Sequence, residues 1–330
     1  MSIYKKRLFY LALISIFVLF FSICVTTSAQ VEKPENYPTR TIEIYTGTGP
    51  GGGTDVFARA ISIQLRRTLG VPIVIINQPG ASGTIAINTL QTSPADGYTI
   101  LAAGPDVPVS IALGRIEYGV EEFIPLAKCQ HDIGALHVSG TSNFETVQDL
   151  VDYAKANPKK LTIGGIGTKS IDELVIAKWA KEAGIEFKWV PYDGAGDFTA
   201  ALLGGHIDAI FEEVGKIVDL TESGKVKTLM LFYEKRIPGL DVPSSVELGY
   251  KTTEGIWRGL FLKAGTPDDI VKYLEAAIRG SYDTGVYQAI AESQYLHLRE
   301  GWSGTEDFTE LVTEEVRVRK ELFKALGYIE

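Results

Sequence analysis

The 330 residues carry 32 Lys plus Arg against 41 Asp plus Glu, a formal net charge of −9, with 45% hydrophobic residues and two cysteines. Such an acidic chain is repelled by nucleic-acid phosphates and by anionic membrane surfaces, so neither is expected as a partner. The length allows two cores, and the cysteine count allows no disulfide once the leader described next is set aside.

Residues 1–29 have the three parts of an export signal: cationic Lys5, Lys6 and Arg7, an apolar run from Leu8 to Val25, and a small-residue exit at Thr27-Ser28-Ala29. Cleavage after Ala29 is expected. A lipid anchor on Cys24 would need a small residue where Ile23 stands, and a retained anchor helix is the other alternative, since the run approaches bilayer length. Removal takes Cys24 and three cations with it. It leaves Cys129 alone in the strand-like run Ile124–Cys129, where a buried small hydrophobe is expected.

From Thr41 the pattern is strand, turn, helix, strand. Ile42–Tyr45 alternates as a strand, and Thr54–Leu69 places Phe57, Ile61, Leu65 and Leu69 on one helical face before Gly70 stops it. Val71–Ile76 reads as a buried strand broken at Pro79-Gly80, with a second helix expected from Ser82 as N-cap. After the turn Pro94–Gly97, Tyr98–Ala102 returns to strand. The pattern restarts with strands at Leu161–Ile163, Phe187–Val190 and Ile207–Phe211, separated by helices at Ser170–Ala183 and Asp197–Leu203. Strands at Val226–Phe232 and Gly259–Leu262 follow, and amphipathic helices at Pro267–Arg279 and Glu306–Ala325 close the chain. Alternation at this spacing predicts α/β architecture with a mainly parallel sheet in each of two units.

The loop Thr46–Asp55 carries five glycines directly before a helix start. Bare backbone N–H groups at a helix N-terminus, which carries about +0.5 of a charge, make an anion cradle. Gly47, Gly49 and Gly52 also satisfy G-x-G-x-x-G, but the strand that should end in a ribose-binding acid ends in Asn77-Gln78, and Asp55 would repel a pyrophosphate. A second cradle, Gly164–Ser170, offers Thr168, Lys169 and Ser170, and a third loop opens at Asp193, with Asp197 as a possible N-cap. One helix N-terminus contributes ~0.3–1 kcal/mol, whereas micromolar affinity needs about 8, so capture requires cradles on two lobes closing over one guest. The four histidines form no metal motif, no nucleophile elbow appears, and no cofactor, metal or catalytic residue is expected.

Short segments spread along the whole chain carry a resemblance. Gly51-Gly52-Gly53-Thr54-Asp55, Asn77-Gln78-Pro79-Gly80-Ala81, Pro94–Thr99, Val190-Pro191-Tyr192, Leu203–Asp208, Asp241–Ser244 and Trp257–Phe261, in this order, resemble the substrate-binding proteins of tripartite tricarboxylate transporters, the Bug family. The resemblance implies a periplasmic, type II-like Venus flytrap of two lobes, residues 30–130 plus 256–330 and residues 131–255. It implies no enzymatic activity, a small organic carboxylate as ligand, a two-component membrane permease as partner, and a monomer. Carried over, the site would take Pro50, Gly51, Gly52, Gly53, Thr54 and Ser82 from the first lobe and Thr168, Lys169, Ser170 and Asp193 from the second. Where relatives often place glycine and histidine, this chain has Lys169 and Glu173. Lys169 would pair with a second carboxylate of a di- or tricarboxylate, whereas Asp193 and Glu213 would suit an ammonium group, as of an amino acid; the sequence does not choose. A co-receptor role for a membrane sensor, binding of an amino acid or aromatic acid, and an exported enzyme are the other functional alternatives.

Overall fold

The computed structural model describes residues 31–330 apart from residue 326, so the expected export segment lies outside the described residues. The chain begins with β1 (Ile42–Thr46), α1 (Gly53–Leu69), β2 (Ile73–Asn77), α2 (Thr84–Thr92), β3 (Thr99–Ala103), α3 (Asp106–Ala112) and β4 (Phe123–His131). It then crosses to β5 (Gly134–Ser139), α4 (Val147–Ala156), β6 (Thr162–Ile166), α5 (Ile171–Ala183), β7 (Lys188–Tyr192), α6 (Ala195–Leu203), β8 (Ala209–Glu213), α7 (Val218–Glu222) and β9 (Val226–Leu231). It returns through β10 (Trp257–Lys263), α8 (Asp268–Tyr282), α9 (Gly285–Ser293) and α10 (Thr305–Ala325). The strands form two five-stranded sheets, ordered β2-β1-β3-β10-β4 and β7-β6-β8-β5-β9.

In the first sheet β1 runs parallel to β2 and β3, and β10 runs against both β3 and β4. In the second, β6 is parallel to β7 and β8, and β5 runs against β8 and β9. Each sheet is therefore mainly parallel with one reversed strand. The reversed strands are the ones the chain enters on crossing from the other sheet. They have no preceding crossover helix of their own, which a parallel neighbour joined in sequence would need.

Helix α1 buries Phe57, Ile61, Leu65 and Leu69 as their spacing requires, and Gly70 ends it in a left-handed conformation with φ 71°. Two expected caps are not caps. Ser82 has φ 53° and lies in a 3₁₀ turn, with Gly83 at the N-cap of α2, because left-handed backbone at Ala81 and Ser82 cannot begin a right-handed helix. Asp197 lies inside α6, whose N-cap is Gly194. The helices at α3, α4, α7 and α9 and strand β5 were not among the expected elements.

One face of the first sheet packs on α1 and α8 around Ile44, Ile61, Leu260 and Leu274. Cys129 is buried there as a small hydrophobe, and its thiol is pushed up by burial. The other face receives α10 through Phe308, whose ring centroid lies 5.1 Å from those of Trp257 and Phe261. The second lobe is built on Trp179 of α5 and on Leu150 of α4. Leu174 of α5 meets Val109 and Ala112 of α3 and Phe323 of α10, an apolar contact between the lobes. Among the described residues no helix is long and apolar enough to cross a membrane.

Phe308 is fully buried where α10 meets the first sheet. Phe308→Ala is expected to lower unfolding stability by ~3–5 kcal/mol in urea titrations. A loss below about 1 kcal/mol would contradict the assignment of α10 to this core.

Candidate ligand-binding site

The loop before α1 is fixed by a side chain inside the helix. Asp55 is buried in the first turn, where it accepts hydrogen bonds from Gly51 N–H at 2.9 Å, from Asn77 Nδ2 at 2.9 Å and from Arg59. Burial pushes its carboxyl up, but Arg59, Gly51 and Asn77 together hold it below the usual range. Asn77 also donates to Thr48 O at 2.9 Å. Asp55 and Asn77, the two residues that argue against a dinucleotide site, thus staple the glycine loop in place.

Helix α1 starts at an N-cap, Gly52, with no side-chain cap, and α6 starts the same way at Gly194. Serine, threonine, aspartate or asparagine would ordinarily fill such positions. Both helix starts border one cavity of 580 Å³ between the lobes, so Gly53 and Thr54 face it from one side and Ala195 and Gly196 from the other. Such amides, with the helix dipoles behind them, are suited to a carboxylate.

Of the residues expected from the sequence, Pro50, Gly51, Gly52, Gly53, Thr54, Ser170 and Asp193 border this cavity. Ser82 and Thr168 border an adjoining one of 510 Å³, which shares Asp106, Ser170, Asp193 and Asp197 with the first. Ser170 caps α5 by accepting from Glu173 N–H at 3.3 Å, which leaves its hydroxyl proton free to donate. Lys169 borders neither cavity. Its ammonium sits 4.6 Å from the centre of the Tyr328 ring, and its backbone N–H donates to the Glu173 carboxylate. The two residues that depart from the family pattern therefore bond to each other. The backbone carbonyl of Thr168 is taken by Arg115 of the first lobe at 2.6 Å.

Of the cavity floor the sequence singles out only Glu213, as a partner for an ammonium group, and in the structure Glu213 pairs with Arg258 and Lys216 of the protein itself. Arg258 of β10, 4% exposed, donates to Asp132 and Glu213, and Lys216 donates to Glu213 and, at 3.3 Å, to Glu212. A Cβ on Gly53 would strike the Arg258 guanidinium and the Lys216 ammonium, so a side chain there would have to displace both from their carboxylates. Burial pushes Glu212 well up, helped by its neighbour Glu213. Burial also opposes ionisation of Glu213, but Lys216 and Arg258 outweigh it and hold Glu213 well below the usual range. Asp132 is pushed up by burial, yet it accepts from Arg258 and from Gln130 Nε2 at 2.8 and 2.9 Å, donors that fit the anion. Two cations, Arg258 and Lys216, thus face three carboxylates, Asp132, Glu212 and Glu213.

Residues 57–328 match the family described as the tripartite tricarboxylate transporter family receptor, TctC. The chain belongs to that family. It is a receptor and not an enzyme. It is 28% identical over 308 residues to the UPF0065 protein in the gbd 5′ region of Cupriavidus necator, covering 91% of this chain and 90% of that one. Among solved structures, MatC from Rhodopseudomonas palustris with bound malate is 25% identical with a TM-score of 0.78, over 86% of this receptor and 99% of MatC. A second R. palustris protein, with adipate, is 25% identical with a TM-score of 0.79, over 88% and 98%.

The receptor's cavity also contains Asp172, 6% exposed, which accepts from Ile166 N–H at 2.9 Å. Burial, then the charge of Glu213, pushes its carboxyl up to about 7. An acid raised in the folded state costs stability as pH climbs, because the unfolded chain releases the proton first. The cost grows from about pH 4 and levels off near pH 7, by at most ~1.4 kcal/mol per pH unit. Asp172→Asn is therefore expected to gain stability relative to the parent between pH 4 and pH 7 in parallel thermal melts. A difference that does not change with pH would contradict the raised value.

Proposed function

We propose that the receptor works outside the cytoplasm, where its lobes close over a small carboxylate and deliver it to a two-component membrane permease. In this reading the first lobe comprises residues 30–130 and 256–330 and the second residues 131–255, hinged at the two crossings. The observation that carries the reading is the pair of uncapped helix starts, from opposite lobes, at one cavity. A hydrogen bond to a charged group contributes roughly 1.5–3 kcal/mol, so about four such donors reach the 8 kcal/mol that micromolar binding needs. The proposed contacts are the amides of Gly53, Thr54, Ala195 and Gly196, with the Ser170 hydroxyl. The relatives with malate and adipate support a carboxylate as the class of ligand.

Removing one amide tests this without removing a side chain. Ala195 is the first residue of α6, where proline fits a helix without strain, and Gly194 before it is extended at φ −151° and ψ 151°. Ala195→Pro is expected to weaken binding of a carboxylate ligand about 10- to 100-fold by calorimetry while leaving the melting temperature of the free protein nearly unchanged. Unaltered affinity would remove α6 from the site.

A further inference from the structure

We infer that Arg115, Lys169 and Tyr328 form a latch that holds the two lobes together from outside the cavity, so that contacts within the protein, and not the solute alone, set how firmly the receptor closes. The inference rests on the capture reading above and concerns what regulates it. None of the three residues borders either cavity, so they are positioning residues that act through a neighbouring loop. That loop is Gly167–Ser170, between β6 and α5 of the second lobe, and it carries Thr168 and Ser170 to the cavity walls.

Three elements of the first lobe meet this one loop. Arg115, just after α3, donates through Nη2 to Thr168 O at 2.6 Å and to Lys169 O at 3.4 Å, and bonds from an ionised donor are the stronger kind. Lys169 reaches back with its ammonium over the Tyr328 ring, which stacks on Phe323 of α10 with 6.0 Å between centroids. Ser82 makes the third approach, since a Cβ on Gly167 would lie 3.3 Å from its Oγ. Leu174, in the helix that the loop begins, packs with Val109, Ala112 and Phe323 beside them. The backbone of Lys169 is an independent pointer. Its φ is 49°, a left-handed conformation that glycine takes freely and lysine only at a cost in energy, and the Glu173 carboxylate holds its N–H there. A side chain kept on such a backbone points to a function, and what this one reaches is the other lobe. When the lobes swing apart about the two crossings these contacts part. They therefore raise the closed fraction, with which apparent affinity scales, and they must break before the solute leaves.

Distances between the lobes test the latch. Full-length receptor is stripped of copurifying solute by unfolding and refolding, then spin-labelled at Arg67→Cys of α1 and Lys155→Cys of α4, both exposed positions, in a Cys24→Ser background; Cys129 is buried and stays unlabelled. Double electron–electron resonance is expected to show a closed population in the parent whose ratio to the open one falls about ten-fold in Arg115→Ala and in Lys169→Gly. Glycine relieves the left-handed backbone, so Lys169→Gly should not lower the melting temperature. Lys169→Arg, whose guanidinium also lies on aromatic faces, should keep the parent's distribution. Equal distributions in the parent, Arg115→Ala and Lys169→Gly would overturn the latch, as would a loss that Lys169→Arg shares with Lys169→Gly. Neither result touches the capture reading, which stands or falls on the Ala195→Pro titration.

Discussion

A buried guanidinium must be answered by charges of the protein itself, and Arg258, 4% exposed, is in that position. It sits on the strand that re-enters the first sheet, and its partners are Asp132, in the link that leaves that sheet, and Glu213, at the end of β8 in the second. One side chain thus ties both crossings and both lobes at the base of the cleft. Its Nε is buried without a partner among the described residues, so the arrangement is not optimised for stability alone. Buried ion pairs rarely add net stability, because desolvation consumes most of the attraction. The cluster is better understood as fixing position and charge where the chain crosses between the two sheets.

That constraint shapes the rest of the cleft. With Arg258 and Lys216 neutralised by their own partners, an anionic guest must be met by the backbone, and the sequence supplies glycine at the N-caps of α1 and α6 where a capping side chain would consume the amides. Glycine at an N-cap costs only a few tenths of a kcal/mol compared with a capping side chain. Gly53 has a second reason, since the two cations occupy the space of any side chain there. The Asp55–Asn77 staple and the Trp189 indole, which donates to Gly167 O at 2.7 Å, hold the flanking loops so that these amides need little ordering on binding.

Much of this was legible in the residues, and the failures have physical reasons. The periodic elements around Phe57–Leu69 and Ser170–Ala183 were found because burial imposes helical spacing on apolar side chains. The glycine loop was found because five glycines before a helix start have few other uses. Of the floor only Glu213 was singled out, and not its partners, because its members lie far apart in sequence and meet only when the sheets form. A signal was present in Arg258 within the apolar run of β10 and in the Glu212-Glu213 pair that ends a buried strand, since charges there must be paired. Ser82 misled, because a serine before an apolar run resembles a cap and its left-handed backbone cannot be seen in sequence. Lys169, a cation in a glycine loop that suggests a ligand contact, has its ammonium over Tyr328 and its backbone N–H on Glu173, neither of which is visible in sequence.

The central claim is that amides from both lobes grip one guest. Residue-resolved amide hydrogen exchange, recorded as a bound solute is titrated, tests it most directly. The account predicts that the amides of Gly53 and Thr54 and those of Ala195 and Gly196 become protected together, at one midpoint. Protection confined to one helix start, or absent from both while the solute is bound, would contradict it.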